Sequence, residues 1–354
     1  MLALAAFAIL QLAPPSADVP YREPQLATSP HLVALAFGAG NRIYVATSAD
    51  EGRSFSKPVQ VAEAGVLPLS RHRGPRVVIS RGAIVVTAVA GHSAATGQHA
   101  HGMAADGDLL AWRSIDGGKT WSEAVRVNDV PTAAREGLHA LATDGRGNLF
   151  AAWLDLRKEG TRLYGAYSAN SGASWSASVL VYESPDGTIC QCCHPSAAFA
   201  GNGAVEVMWR NWLDGSRDLY LVRSTGPREF GEPEKLGTGT WKLNACPMDG
   251  GGLTNVGGRT ITAWRRNGEI FMAEPGHAEV LLGEGKDVAL AASQEQIYAM
   301  WVKGAQLELW NSGQVEIVAQ NAAFPSVTAL PGGGVLAAWE DNGRISVRRF
   351  GVAP

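Results

Sequence analysis

One unit recurs seven times along this chain. Its signature is a short apolar strand, usually ending in an aromatic: HLVALAF (31–37), AIVVTAV (83–89), LFAAW (149–153), VEVMW (205–209), TITAW (260–264), IYAMW (297–301) and VLAAW (335–339). A polar loop and a second strand follow each copy, as in RIYVATS, DLLAWRS and RLYGAYS. Another strand precedes each, often opened by proline, as in EPQLATS, GPRVVIS and FPSVTAL, while runs such as FSKPVQVA and VEIVAQ fit a fourth, outer position. The alternation and turn residues read as antiparallel strands, with no long helix. A repeated unit of this size cannot bury its apolar surface alone and must stack on its neighbours.

Seven such units predict an all-β propeller of four-stranded antiparallel blades, with six blades if one unit is irregular. Burial of the innermost strands on both sides would account for the nearly continuous apolar runs. The last unit lacks an outer strand after RISVRRF, and the segment from Asp18 to Tyr21 is expected to supply it and close the ring. Two stacked β-sandwich domains are the alternative, but they do not predict one repeat running from end to end.

Composition agrees. The 354 residues include 42 glycines and 11 tryptophans, which suits many short strands joined by tight turns. A net charge of −3 offers no basic stripe for nucleic acid. The opening MLALAAFAILQLAPPSA (1–17) reads as a signal peptide, with an apolar stretch from Leu2 to Ala13 and small residues before Asp18. It lacks the usual basic residue ahead of the apolar part, so a retained anchor or a misplaced start is the other reading. Beyond residue 20 no apolar run approaches the roughly 18–20 residues of a membrane span. The expected organisation is therefore an exported protein, periplasmic or secreted, with residues 18–354 forming one propeller domain.

A second repeat sits between the third and fourth strands: Ser48-Ala-Asp50-Glu-Gly52-Arg-Ser-Phe55, Ser114-Ile-Asp116-Gly-Gly118-Lys-Thr-Trp121 and Ser168-Ala-Asn170-Ser-Gly172-Ala-Ser-Trp175. Asp or Asn can accept backbone N–H bonds, Gly can take a positive φ, and the aromatic can pack back under the blade. At these residues the chain resembles the Asp-box (BNR-repeat) propellers of the sialidase superfamily, and a decayed fourth copy spans Ser224 to Phe230. The resemblance implies that the boxes lie on the face away from the active site. It also implies that Arg22, in Tyr21-Arg22-Glu23-Pro24, belongs to an arginine cluster gripping a sugar carboxylate, work that suits guanidinium forks. A sialidase nucleophile would be a tyrosine paired with a carboxylate. The last two blades contain only Tyr298, which lies within a strand.

Propeller geometry brings two sets of loops to one mouth: those preceding the opening strands and those following the aromatic-ended strands. Arg73, Arg210 and Arg265 occupy such positions and are candidate companions of Arg22 in substrate binding. Glu23, Glu136 and Asp155 are the candidate acid/base residues, with Glu340 and Asp341 also at the rim. Charges converging on a concave site usually serve a ligand. The expected partner is a carbohydrate or another small anionic ligand, and the expected function is a sialidase-like glycoside hydrolase or other carbohydrate-active propeller.

The cysteines permit a different function. Cys190, Cys192, Cys193, His194, Cys246 and Met248 all fall near the mouth and form a soft donor set suited to copper or zinc. Four cysteines in an exported chain also fit two disulfides. No cofactor is required by any motif. A non-catalytic glycan- or protein-binding propeller is the third reading, with Trp212 and Trp241 available to stack on sugars.

Overall fold

The seven repeats fold into seven antiparallel sheets, six of four strands and one of five. The computed structural model describes residues 9–97, Ala100 and residues 102–351. Blade 1 runs Arg22–Ser29, Leu32–Ala39, Arg42–Ser48 and Val59–Glu63 from axis to rim, and the following blades repeat that order. First strands of successive blades pack side by side, and that of blade 7 (Ala322–Ala329) meets that of blade 1, so the ring is closed. The molecule is a seven-bladed β-propeller, and six blades are excluded.

The most apolar strands are not the innermost ones, contrary to expectation. They lie second from the axis, where Ala83–Ala90, Leu149–Asp155 and Val205–Arg210 are buried along their whole length. A second strand is covered by the neighbouring sheets on both faces, whereas a first strand turns one edge toward the axial channel. Ser196–Phe199, an axial strand, is accordingly only part-buried throughout. The aromatics that end the second strands fill the space between blades: Trp153, Trp209, Trp264, Trp301 and Trp339 are among the largest fully enclosed side chains. Two of them also satisfy their indole N–H, Trp153 on Asp155 at 2.7 Å and Trp301 on Glu308 at 2.8 Å.

Closure of blade 7 also departs from the sequence reading. Its outer strand is Leu10–Leu12, which pairs with Arg344–Phe350 in the register Leu10 to Val347 and Leu12 to Ile345. This strand lies inside the segment read as a leader. Residues 18–21 instead form a connection, with Tyr21 buried against Phe37 at a ring separation of 4.4 Å. Blade 7 thus joins an early strand to the last three, which ties the two ends of the described chain together.

Each third strand ends on the face opposite the mouth, so the recurring Ser-x-Asp/Asn-x-Gly turns lie there. Gly52 N donates to Ser48 Oγ at 2.8 Å, Ser48 Oγ donates to Asp50 at 2.7 Å, and Ser54 N donates to Asp50 at 2.9 Å. Gly52 holds φ +82°, and a Cβ there would stand 2.7 Å from Leu336, so only glycine fits both the turn and its packing on blade 7. Phe55, Trp121 and Trp175 pack back onto the core clusters as the pattern anticipates.

Because Trp339 is completely enclosed between blades, Trp339→Ala should destabilise the fold by about 3–5 kcal/mol. Urea unfolding should show the midpoint lowered with little change in slope.

Candidate functional site

The starts of the first strands and the ends of the second strands converge on one mouth, which encloses a cavity of about 720 Å³. Four cationic side chains line it (Arg71, Arg73, Arg265 and Lys286) together with the carboxylates Glu136 and Asp287. Cys192, Cys246, Met248 and Phe324 complete much of the wall. Arg73 donates from Nε to the Glu136 carbonyl at 2.7 Å, but its Nη1 is buried with no partner. Arg265 likewise has a buried Nε without a partner, and Nη1 reaches the Pro247 carbonyl only at 3.5 Å. Both arginines nevertheless contribute to the lining of the cavity, which gives its wall a strongly cationic character suited to an anionic ligand.

Glu136 and Asp287 experience opposite environments. Burial pushes the Glu136 carboxyl above the usual range, and the charges of Arg73 and Arg135 only partly oppose this. At Asp287 burial also acts upward, but a 2.8 Å hydrogen bond to His72 Nε2 and the His72 charge outweigh it, and the group is held below its ordinary value. His72 responds in the opposite sense. Burial lowers its basicity, while the contact with Asp287 and the charges of Asp287, Glu23 and Asp249 raise it overall.

His72 forms the bridge from the mouth to the channel beneath. Its ring packs on His194 at 4.4 Å and meets the edge of Phe324 at 5.1 Å. His194 lies 3.2 Å from the Gly251 carbonyl through Nε2, while its buried Nδ1 has no partner. Burial and the neighbouring His72 charge hold His194 well below the usual histidine range, so it is neutral and Nε2 is the donor. Asp249, buried beside them, accepts from Asp287 N at 3.0 Å and leaves Oδ1 without a partner. Burial raises its pKa, with the Asp287 charge adding to the effect.

The remaining sequence candidates separate. Arg22 is half-exposed and pairs with Glu340 at 2.9 Å, outside the cavity lining. Glu340 also accepts from Glu23 N at 2.7 Å, and Glu23 in turn accepts from His72 N at 3.0 Å, so Glu23 braces the cavity floor from below. Arg210 is enclosed and donates to the carbonyls of Asp249, Arg217 and Arg265, tying three loops together. Asp155 is saturated by Trp153 Nε1 and a two-pronged contact with Arg157, also away from the cavity. Trp241 is buried beneath Arg210 and Arg265, and Trp212 supports Arg217, which favours packing over sugar stacking for both. No tyrosine lines the cavity among the described residues.

Sequence reasoning missed Asp249, Lys286 and Asp287. Asp249 precedes the first strand of blade 5, in CPMDGGG, and Asp287 is the second residue of the first strand of blade 6, in GKDVALAAS, as Glu23 is in blade 1. That shared register was the available signal, hidden because the apolar run beside it reads as plain strand.

Three of the four cysteines cluster. Cys190 Sγ lies 3.6 Å from Cys192 Sγ and 3.4 Å from Cys193 Sγ, and Arg217 donates to Cys190 at 2.9 Å. All four thiols are free, with Cys246 exposed. Hydrogen bonding with Cys192 and Cys193, aided by Arg217, holds Cys190 well below the usual thiol range. His194, expected to join these sulfurs, instead faces His72 and Gly251.

No protein-family model matches the chain, and no curated protein sequence matches it. Solved structures do match. A leech intramolecular trans-sialidase shares 12% identity at a TM-score of 0.56, over 99% of this chain and 70% of that one. An ulvan lyase shares 13% at 0.58, over 97% and 96%, and a Hadza microbial sialidase shares 12% at 0.53, over 91% and 74%. The architecture is that of the sialidase-type β-propellers. At these identities the likeness speaks for the fold.

His139, at the start of the third axial strand, is fully enclosed with Nε2 3.0 Å from Thr87 Oγ1, and burial lowers its pKa to about 3. The neutral form is therefore the one the folded state tolerates. Its contribution is intact above the unfolded value near 6.5 and is lost progressively as pH falls from there toward 3. In urea titrations, His139→Gln should flatten the loss of stability between pH 6.5 and 4, by an amount on the order of a few kcal/mol.

Proposed function

We propose that this protein is a carbohydrate-active enzyme that draws an anionic sugar into the mouth cavity and cleaves its glycosidic bond. The observation that carries the reading is one cavity holding four cations and two carboxyl groups whose surroundings shift their pKa values in opposite directions. Arg73 and Arg265, two of the four cations lining the cavity, supply the grip on a sugar carboxylate. Two carboxyl groups whose surroundings drive their pKa values apart are suited to paired acid and base roles. Glu136, whose pKa burial raises, gives its proton to the leaving glycosidic oxygen. Asp287, kept ionised by His72, serves the opposite side of the sugar as base toward water or as nucleophile.

The ligands seen in similar structures support an acidic sugar. The leech trans-sialidase is complexed with 2,7-anhydro-Neu5Ac, and an ulvan lyase of this fold is bound to a GlcA–Rha3S unit. Both ligands contain a carboxylated sugar. The absence of a cavity-lining tyrosine among the described residues favours carboxylate chemistry over a tyrosine nucleophile. Export to the periplasm or medium belongs to the same reading, since such glycans are met there.

Assay against sialosides and uronate-containing oligosaccharides tests the proposal. Glu136→Gln should lower kcat by about 10²- to 10⁴-fold, with much of the loss recovered on aryl glycosides whose leaving group needs no protonation. Arg265→Ala should act mainly through KM. The wild-type rate should fall as pH rises past the elevated Glu136 pKa and again as pH drops past the depressed Asp287 pKa. Binding without turnover across the panel would return the protein to a non-catalytic role, and unsaturated products would assign elimination instead of hydrolysis.

A further inference from the structure

The structure holds a second chemical feature that begins in the cavity wall, at Cys192 and Met248, and extends behind it. Cys190, Cys192 and Cys193 come from the loop between the last strand of blade 3 (Val179–Tyr182) and the first of blade 4 (Ser196–Phe199). All three are buried, and their sulfur atoms lie within 4.8 Å of one another. The loop is anchored by Cys190 N, which donates to the Arg210 carbonyl at 3.2 Å. Met248, from the loop entering blade 5, packs its side chain against the three cysteines. It does so with φ +59°, a left-handed conformation that a long side chain rarely adopts.

We propose that Cys190, Cys192 and Cys193 form a binding site for one soft, thiophilic metal ion of the Cu(I) or Zn(II) class, with Met248 beside it as a thioether donor. Spacing supports this. A tetrahedral ion with metal–sulfur bonds of about 2.3 Å places its sulfurs about 3.8 Å apart. The observed 3.6 and 3.4 Å need open by only a few tenths of an ångström to admit it. A disulfide at about 2.05 Å would require a much larger movement of two buried side chains.

Charge supports it as well. Bare thiolates so close together would repel one another, yet arginines surround this group. Arg217 touches Cys190 at 2.9 Å, Arg210 acts electrostatically on Cys193, and Arg73 interacts with Cys192. Three thiolates with a monovalent or divalent cation keep a net negative charge, which these guanidinium groups offset. Thiolate and thioether ligands select copper(I) and zinc over the hard, oxygen-preferring ions. Cys246 stands apart: it is exposed and is not one of the clustered sulfurs.

The test needs no substrate, so its failure would leave the glycan reading standing. Full-length protein purified anaerobically with reductant and stripped with chelator is titrated with Cu(I) alone and, separately, with Zn(II) alone. Retained metal is measured after desalting, and reactive thiols are counted with and without metal. The expected result is about one ion per chain for at least one of the two metals, with three thiols protected from modification. Cys192→Ser and Cys193→Ser should each lose stoichiometric binding, Cys246→Ser should keep it, and Met248→Leu should weaken it on the order of tenfold. Matched thermal midpoints of the chelator-treated variants exclude misfolding as the cause. Failure of the wild type to retain either ion, retention by a Cys192→Ser/Cys193→Ser double variant, or a disulfide among the three in metal-free protein isolated without reductant overturns the assignment.

Discussion

Burial of the second strand of every blade between neighbouring sheets is the interaction on which the whole molecule rests. Strands such as Ala83–Ala90 and Val205–Arg210 expose almost nothing, and their removal from water is the main favourable term in stacking one blade on the next. The tryptophans at their ends extend that contact to the edge of the mouth. Because each sheet meets only its neighbours and the last meets the first, the apolar contacts fix where every loop of the mouth emerges. The cavity is a consequence of the ring.

Such a scaffold allows charge to be concentrated at low dielectric. Around His72, three carboxyl groups and a second histidine approach from four other blades, and their protonation is set by contact more than by side-chain type. Contact with His72 holds the Asp287 pKa below its ordinary value, whereas burial pushes that of Asp249, close by, upward. Glu136 across the cavity is shifted upward by burial. Residues of the same chemistry therefore do different work according to their position on the ring.

Much of this was legible in the residues themselves. The repeat and its turn motifs announced the blade number and the face that carries the loops, because stacking and hairpin chemistry impose regular spacing. Register alone placed Arg73, Arg265 and Glu136 at the mouth, and all three line the cavity. Arg22, Arg210 and Asp155 were placed on the correct face by the same logic, yet each is engaged by protein partners. Register locates a Cα and cannot say whether a guanidinium meets a carbonyl, as Arg210 does, or a cavity, as Arg73 does. The strand that completes blade 7 was also misassigned, since Leu10–Leu12 reads as part of an apolar leader until it is seen pairing with Arg344–Phe350.

The amino-acid order by itself determined the propeller, its seven units, and the gathering of arginine, carboxylate, histidine and cysteine toward one mouth. These follow from periodic burial and from turn geometry, which are local properties. Only the tertiary structure decided which charges pair with each other and which face the cavity. It also separated His194 from the sulfurs, drew three cysteines together and left the fourth outside. Those outcomes depend on side-chain contacts between loops far apart in the chain, and distances of a few ångströms across a closed ring are not written in any single repeat.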